Sequence, residues 1–230
     1  MPGEMSLRAR LVRRTIFGLV LLPAVIFLSA GTVNYWQGWA FLTVSFIPPL
    51  GMTVYYYRHD PQLLERRLLR KEQVRAQKVI MLLMKLLYLL VLILPGLDYR
   101  FGWSGAFWRP VPWWLTLLAL FVMVAMNVLF FLVLQANRFA ASIVQVESAQ
   151  TVIDAGPYRF IRHPMYLGGI VVWFALPPAL GSYFALLVAV PGIPVMILRL
   201  LNEEKFLRRA LPGYAEYCQR VRYRLIPLVW

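Results

Sequence analysis

Residues 111–134 read VPWWLTLLALFVMVAMNVLFFLVL, 24 positions without a single charged side chain. A helix rises 1.5 Å per residue, so this stretch reaches about 36 Å, enough to cross roughly 30 Å of hydrocarbon. Its length rules out a buried strand and exceeds what the core helix of a soluble domain needs. Working outward, five more apolar segments appear at Thr15–Val33, Gln37–Tyr57, Val79–Leu97, Met165–Pro178 and Tyr183–Leu198. The first three have similar spanning length. The last two are shorter and are separated only by Ala179-Leu180-Gly181-Ser182, which reads as a tight helical hairpin. Pro177, Pro178, Pro191 and Pro194 should kink these helices, and the freed carbonyls then need partners in neighbouring protein. The whole chain is 60% hydrophobic with a mean hydropathy of +0.64, well outside the globular range. The expected fold is an all-α polytopic membrane helix bundle with five to six membrane segments.

The basic residues set the orientation. Of 24 lysines and arginines, 21 fall in the N-terminal flank, in Arg58–Lys78, between the fourth and fifth segments, or after the sixth. Arg100 and Arg109 lie on the other side, and Lys85 lies within a segment. This asymmetry marks the cytoplasmic face and places both termini there, in a multi-pass integral membrane protein. The net charge of +14 could suggest nucleic acid, but the cations cluster between apolar runs instead of forming a groove-reading face. No nucleic-acid partner is expected. A single cysteine, Cys218, excludes an internal disulfide, and two distant histidines with one cysteine make no metal site. The first apolar run outlasts a signal-peptide core and reads as a retained helix. There is no phosphate-binding loop, no dinucleotide-binding glycine motif and no nucleophile-elbow serine.

Residues 1–136 therefore hold four membrane helices, and residues 137–230 form a C-terminal region facing the cytoplasm. Between the second and third segments, residues 58–78 carry Leu63, Leu64, Leu68 and Leu69 among charges, the pattern of an amphipathic surface helix drawn to anionic lipids. The linker Asn137–His163 starts as a polar helix and turns at Asp154-Ala155-Gly156-Pro157. The tail starts helical, breaks at Leu211-Pro212-Gly213 and resumes through Tyr214–Arg222. Two clusters carry chemistry. Gly156–Gly168 (GPYRFIRHPMYLG) ends at His163-Pro164, where proline opens a helix whose first N–H groups, with Arg162, suit a carboxylate or phosphate. It reads equally as a basic interfacial flank with Tyr166 in an aromatic belt. Glu203-Glu204, just past the hairpin 165–198, suits an amine or sulfonium, or else forms a solvated helix with Arg199 as a local ion pair.

Together Gln150, Gly156-Pro157-Tyr158, Arg162-His163-Pro164-Met165-Tyr166-Leu167-Gly168, Glu203-Glu204-Lys205-Phe206-Leu207 and Tyr214-x-Glu216-Tyr217 resemble the isoprenylcysteine carboxyl methyltransferases and the prokaryotic membrane methyltransferases related to them. The resemblance runs from Asn137 to Pro227. Phospholipid methyltransferases and membrane sterol reductases carry similar C-terminal sequences. It implies an S-adenosylmethionine pocket without a dinucleotide-binding domain. Gln150, Tyr158, His163, Pro164, Tyr166, Leu167, Glu203 and Glu204 would bind the cofactor, and Arg162 with Glu203 would be catalytic. The implied acceptor is lipophilic, a small molecule or lipidated substrate entering laterally from the membrane lipids, such as an isoprenylcysteine-like carboxylate. The alternatives are a phospholipid N-methyltransferase and an NADPH-dependent sterol-type reductase.

Overall fold

The computed structural model describes residues 6–69, 75–107, 109–139 and 150–230. It is built from helices, with no strand among the described residues. They are α1 (Leu7–Ala30), α2 (Trp36–His59), α3 (Pro61–Leu69), α4 (Arg75–Phe101), α5 (Trp103–Phe107), α6 (Trp113–Ala136), α7 (Pro164–Ala179), α8 (Phe184–Ala210) and α9 (Tyr214–Arg220), with a 3-10 turn at Gly156–Arg159. The helical start expected for the linker falls on residues 140–149, and part of the expected surface helix falls on residues 70–74, outside the described residues.

Four helices are long and apolar enough to cross a membrane: α1, α4 from Gln77, α6 and α8. The all-α polytopic membrane bundle expected from the sequence is thus what the chain forms. α2 is also 24 residues long, but Gln37, Thr43, Ser45 and its run of prolines and tyrosines leave it outside those four. α7 is a shorter apolar helix of 16 residues, about 24 Å long. The sixth apolar segment ends at Leu198, yet its helix does not. α8 continues for 27 residues to Ala210, about 40 Å, and carries Glu203 and Glu204 past the apolar part on one continuous rod. The helix stops where Pro212 and Gly213 follow, and Gly213 adopts a left-handed conformation (φ 80°) ahead of α9.

The bundle packs α1 on α4, α4 on α8, α8 on α7, α7 on α6 and α6 on α2, so helices of the two halves interleave. Its core joins Ile26, Phe41, Val91, Trp173, Leu176 and Ala189. Many larger apolar side chains, including Phe17, Val20, Leu28 and Phe121, point outward instead, as expected where the solvent is lipid. At one end of the bundle, buried Asp98 closes α4 by accepting from the N–H and hydroxyl of Ser104 and from the hydroxyl of Ser182 in the hairpin turn. At the other end, α3 follows α2 after Asp60, whose carboxylate accepts from Leu63 N–H at 3.2 Å and caps the helix. Leu63 is buried against Tyr56 and Leu134, so the amphipathic α3 lies over the ends of α2 and α6.

Candidate functional site

Proline at position 164 has no N–H to lose in the first turn of α7, so the helix begins there at little cost. The two residues before it are clamped by the tail. Arg162 N–H donates to Tyr223 O at 2.9 Å, and His163 N–H donates to Arg224 O at 3.0 Å. The N–H groups of Tyr166 and Leu167 both turn back to His163 O. The anion cradle expected at this helix terminus is therefore largely closed on the backbone side. Cationic side chains supply the positive charge instead.

Those side chains converge on Glu204. Arg162 Nη1 lies 3.3 Å from its carboxylate, Arg208 Nη2 2.8 Å and Arg224 Nε 2.7 Å, while His163 Nε2 stands at 3.6 Å. The Arg162 and Glu204 side chains are 5% and 4% exposed. A carboxylate this deep is tolerable only because several donors replace its lost hydration. Glu204 thereby fixes where Arg162 points. Its neighbour Glu203 turns about 100° around the helix and does something different. Tyr166 Oη donates to Glu203 Oε2 at 2.5 Å, and Arg199 Nε donates to the same phenol oxygen at 3.3 Å.

A cavity of about 410 Å³ opens between these groups, within the size range of small-molecule sites. Of the residues expected at the site, Gln150, Tyr158, Arg162, His163, Pro164, Tyr166 and Glu203 line it. Leu167 and Glu204 are not among its lining. Glu204 is enclosed by its arginines. The walls also include residues the sequence reading did not select: Asn137, Met84, Met196, Arg199, Tyr214 and Tyr217. Tyr214, Tyr217 and Cys218 fall at i, i+3 and i+4, and all three are buried, so α9 presents this stripe inward. The i, i+3 spacing of two tyrosines was a usable signal for that face. Tyr217 Oη donates to Tyr158 O at 2.8 Å, and Asn137 Nδ2 donates to Tyr158 Oη at 3.2 Å, joining tail, turn and the end of α6. Burial pushes the Tyr158 phenol up to about 12, against the opposing hydrogen bond from Asn137, so it remains a protonated donor at neutral pH.

Two buried polar atoms of residues that line this cavity, Arg162 Nε and Tyr214 Oη, lack a hydrogen-bond partner, and His163 Nε2 has only the Glu204 carboxylate at 3.6 Å. Buried donors and acceptors are rarely left so, because each unpaired group costs about 1–3 kcal/mol. Their clustering on one cavity marks a place for a ligand with polar, anion-like atoms. Glu203 supplies an opposite charge, and Pro164, Met84, Met196 and Leu207 supply apolar wall. The arrangement suits a ligand that is anionic at one point, cationic at another and partly apolar.

The class is that of an integral membrane helical protein with a polar cavity at the tail-bearing end of its bundle. Compared with known families, residues 114–212 match the model described as phospholipid methyltransferase. The matched region begins in α6, ends just after α8, and contains Gln150, Tyr158, Arg162, His163, Pro164, Tyr166 and Glu203. It supports a membrane methyltransferase. α1 to α4 and the two tyrosines of α9 lie outside it. No curated protein matches the chain.

Proposed function

We propose that this chain transfers a methyl group from S-adenosylmethionine to a lipophilic acceptor drawn from the membrane. The observation that carries the proposal is that Arg162 and Tyr214, whose Nε and Oη have no hydrogen-bond partner, line with His163 the same cavity as Glu203. These groups fit the cofactor's charges. Arg162, His163 and Tyr214 would hold its carboxylate, and Glu203 would face its ammonium or sulfonium. Gln150 and Tyr158 offer polar contacts for ribose and adenine, and Pro164, Met196 and Leu207 offer apolar contacts. The cofactor supplies a methyl carbon already activated by its positive sulfur, so the protein's task is mainly proximity and alignment. Tyr166 holds Glu203 in one orientation and Glu204 holds Arg162 in one orientation. Two fixed charges of opposite sign then orient both the cofactor and the acceptor. With a carboxylate acceptor of the isoprenylcysteine kind, Arg162 would instead position the nucleophilic oxygen, leaving the cofactor's carboxylate to His163 and Tyr214. Glu203 could instead take the proton released by an amine, the reading favoured by the phospholipid methyltransferase match.

The sterol-type reductase reading is weaker. It would need Arg159, Arg162, Arg222 and Arg224 for the phosphates of NADPH, yet of these four only Arg162 lines the cavity, and Glu203 lines it too. A carboxylate there repels a dinucleotide.

Titration calorimetry of the detergent-purified chain should give S-adenosylhomocysteine binding in the micromolar range, lost in Arg162→Ala, with no binding of NADPH. A well-folded protein that binds no S-adenosylhomocysteine would overturn the proposal. Incubation with labelled methyl donor and a lipid extract then identifies the acceptor.

A further inference from the structure

The tail after α9 folds into a closed turn with an apolar tip. The N–H groups of Arg224, Leu225 and Ile226 all donate to Trp230 O, at 2.9, 3.0 and 3.2 Å, and those of Val229 and Trp230 donate to Ile226 O. The Arg224 guanidinium stands 5.2 Å from the centre of the Trp230 ring. Leu225 is buried, whereas Ile226, Leu228 and Val229 face out, Leu228 86% and Val229 75% exposed. Phe160, 69% exposed, comes two residues before Arg162, whose N–H is bonded to the base of this turn at Tyr223 O. Among the described residues, Leu228 is the one non-glycine with a left-handed backbone (φ 66°). Its Cβ makes that conformation costly, and glycine or asparagine would hold the turn with less strain. A large apolar side chain kept at a strained and exposed tip points to a partner outside the turn.

The position of the turn along the bundle identifies that partner. Met165, in the first turn of α7, packs against the cluster that holds Leu134, near the end of α6, whose apolar span runs to Ala136. The start of α7 is therefore level with the edge of the hydrocarbon. Backbone bonds from Arg162 and His163 to Tyr223 and Arg224 hold the tail turn at that same level. Arg159 and Arg222, both exposed, flank it with positive charge.

We infer that this turn is a membrane-docking tip. Ile226, Leu228 and Val229, with Phe160 near their base, enter the interface of the leaflet on the tail's side, and Arg159 and Arg222 meet the headgroup phosphates. Apolar side chains at the acyl boundary with cations at headgroup level are how interfacial anchors hold. The same turn carries Arg224, which holds Glu204 at 2.7 Å, and its base clamps the backbone of Arg162 and His163. The bilayer thus steadies the segment that bears those two cavity residues. The inference concerns the tail's partner and stands whether or not the cavity takes S-adenosylmethionine.

A polarity-sensitive fluorescent label on Val229→Cys tests this, in a Cys218→Ser background reconstituted in vesicles of phosphatidylcholine and phosphatidylglycerol. The same label on Gln219→Cys, an exposed position of α9, is the reference. The Val229→Cys label should emit further to the blue than the reference. It should be quenched by phosphatidylcholine carrying a nitroxide near the top of its acyl chain, and shielded from iodide present on both sides of the bilayer. The reference label should show the reverse. Leu228→Asp then charges the tip with a residue that tolerates the left-handed backbone. Its thermal unfolding in detergent should stay within about 2 °C of the parent's, while the Val229→Cys label loses its nitroxide quenching and opens to iodide. A Val229→Cys label open to iodide without Leu228→Asp, or quenched by nitroxide equally with and without it, would overturn the inference. So would a label shielded from both quenchers, the result expected if a second copy of the chain covers the tip.

Discussion

Glu203 and Glu204 are consecutive, yet one lines a cavity and the other anchors three arginines. Their substitutions should separate accordingly. Glu204→Gln keeps the shape but leaves Arg162 and Arg224 without a buried counter-charge. Breaking such a buried pair costs on the order of 3–5 kcal/mol, so thermal unfolding in detergent should drop by roughly 6 °C or more. Glu203→Gln should move unfolding by no more than about 2 °C, because the group is only half-buried and Tyr166 keeps an acceptor. It should instead weaken S-adenosylhomocysteine about tenfold, roughly 1.4 kcal/mol, by removing the charge that would face that ligand's ammonium group. Equal effects of the two variants on stability would refute the division of labour. The sequence marked the pair but could not divide it. Arg208 lies at i+4 on the same helix and was readable. Arg224 sits beyond the break at Pro212-Gly213, and only the folded tail brings it within 2.7 Å.

Between elements, the contact of α7 with α6 and α8 positions the site, and it turns on two adjacent glycines. A Cβ at Gly168 would stand 2.7 Å from the Phe130 ring of α6, whereas one at Gly169 would meet only the flexible tip of Met196 at 3.2 Å. Gly168→Ala should therefore destabilise by about 1–3 kcal/mol through overpacking, and loosen cofactor binding by moving His163 and Tyr166. Gly169→Ala should be neutral or slightly stabilising, since alanine favours the helix by about 1 kcal/mol. Thermal unfolding of the two variants side by side checks both, and a reversed order would show that α7 packs differently. The elements themselves were legible in the sequence because apolar runs and proline-glycine breaks are local signals. The hairpin and the stop before α9 are examples. The extension of α8 to Ala210 was less plain, because hydropathy falls at Arg199 while helix propensity persists through Asn202–Arg209. The pocket's depth was not legible. Met84 and Met196 enter it from membrane helices whose sequence says only apolar.

For the molecule as a whole, the cavities and the basic residues report on the same end of the bundle. A second cavity gathers Leu11 from the start of α1, Tyr56 and Leu63 from the junction of α2 and α3, Leu134 from the end of α6, and Met165 from the start of α7. The first cavity adds the end of α8 and α9. These are also the segments that carry most of the lysines and arginines. Asp98, Ser104 and Ser182 mark the opposite end, where Arg100 and Arg109 are the few cations nearby. Cations are retained on the cytoplasmic side, so a cofactor made in the cytosol would reach its cavity directly, while a lipid acceptor would arrive from the adjoining leaflet. This orientation makes a labelling prediction. In a Cys218→Ser background, which removes the one native thiol, single cysteines can replace exposed Ser6, Gly105 and Gln219. A membrane-impermeant maleimide should label Gly105→Cys in intact cells. It should label Ser6→Cys and Gln219→Cys only after permeabilisation. Labelling of Gln219→Cys in intact cells would put both cavities on the wrong side of the membrane for a cytosolic methyl donor, and would overturn the cofactor assignment together with the orientation.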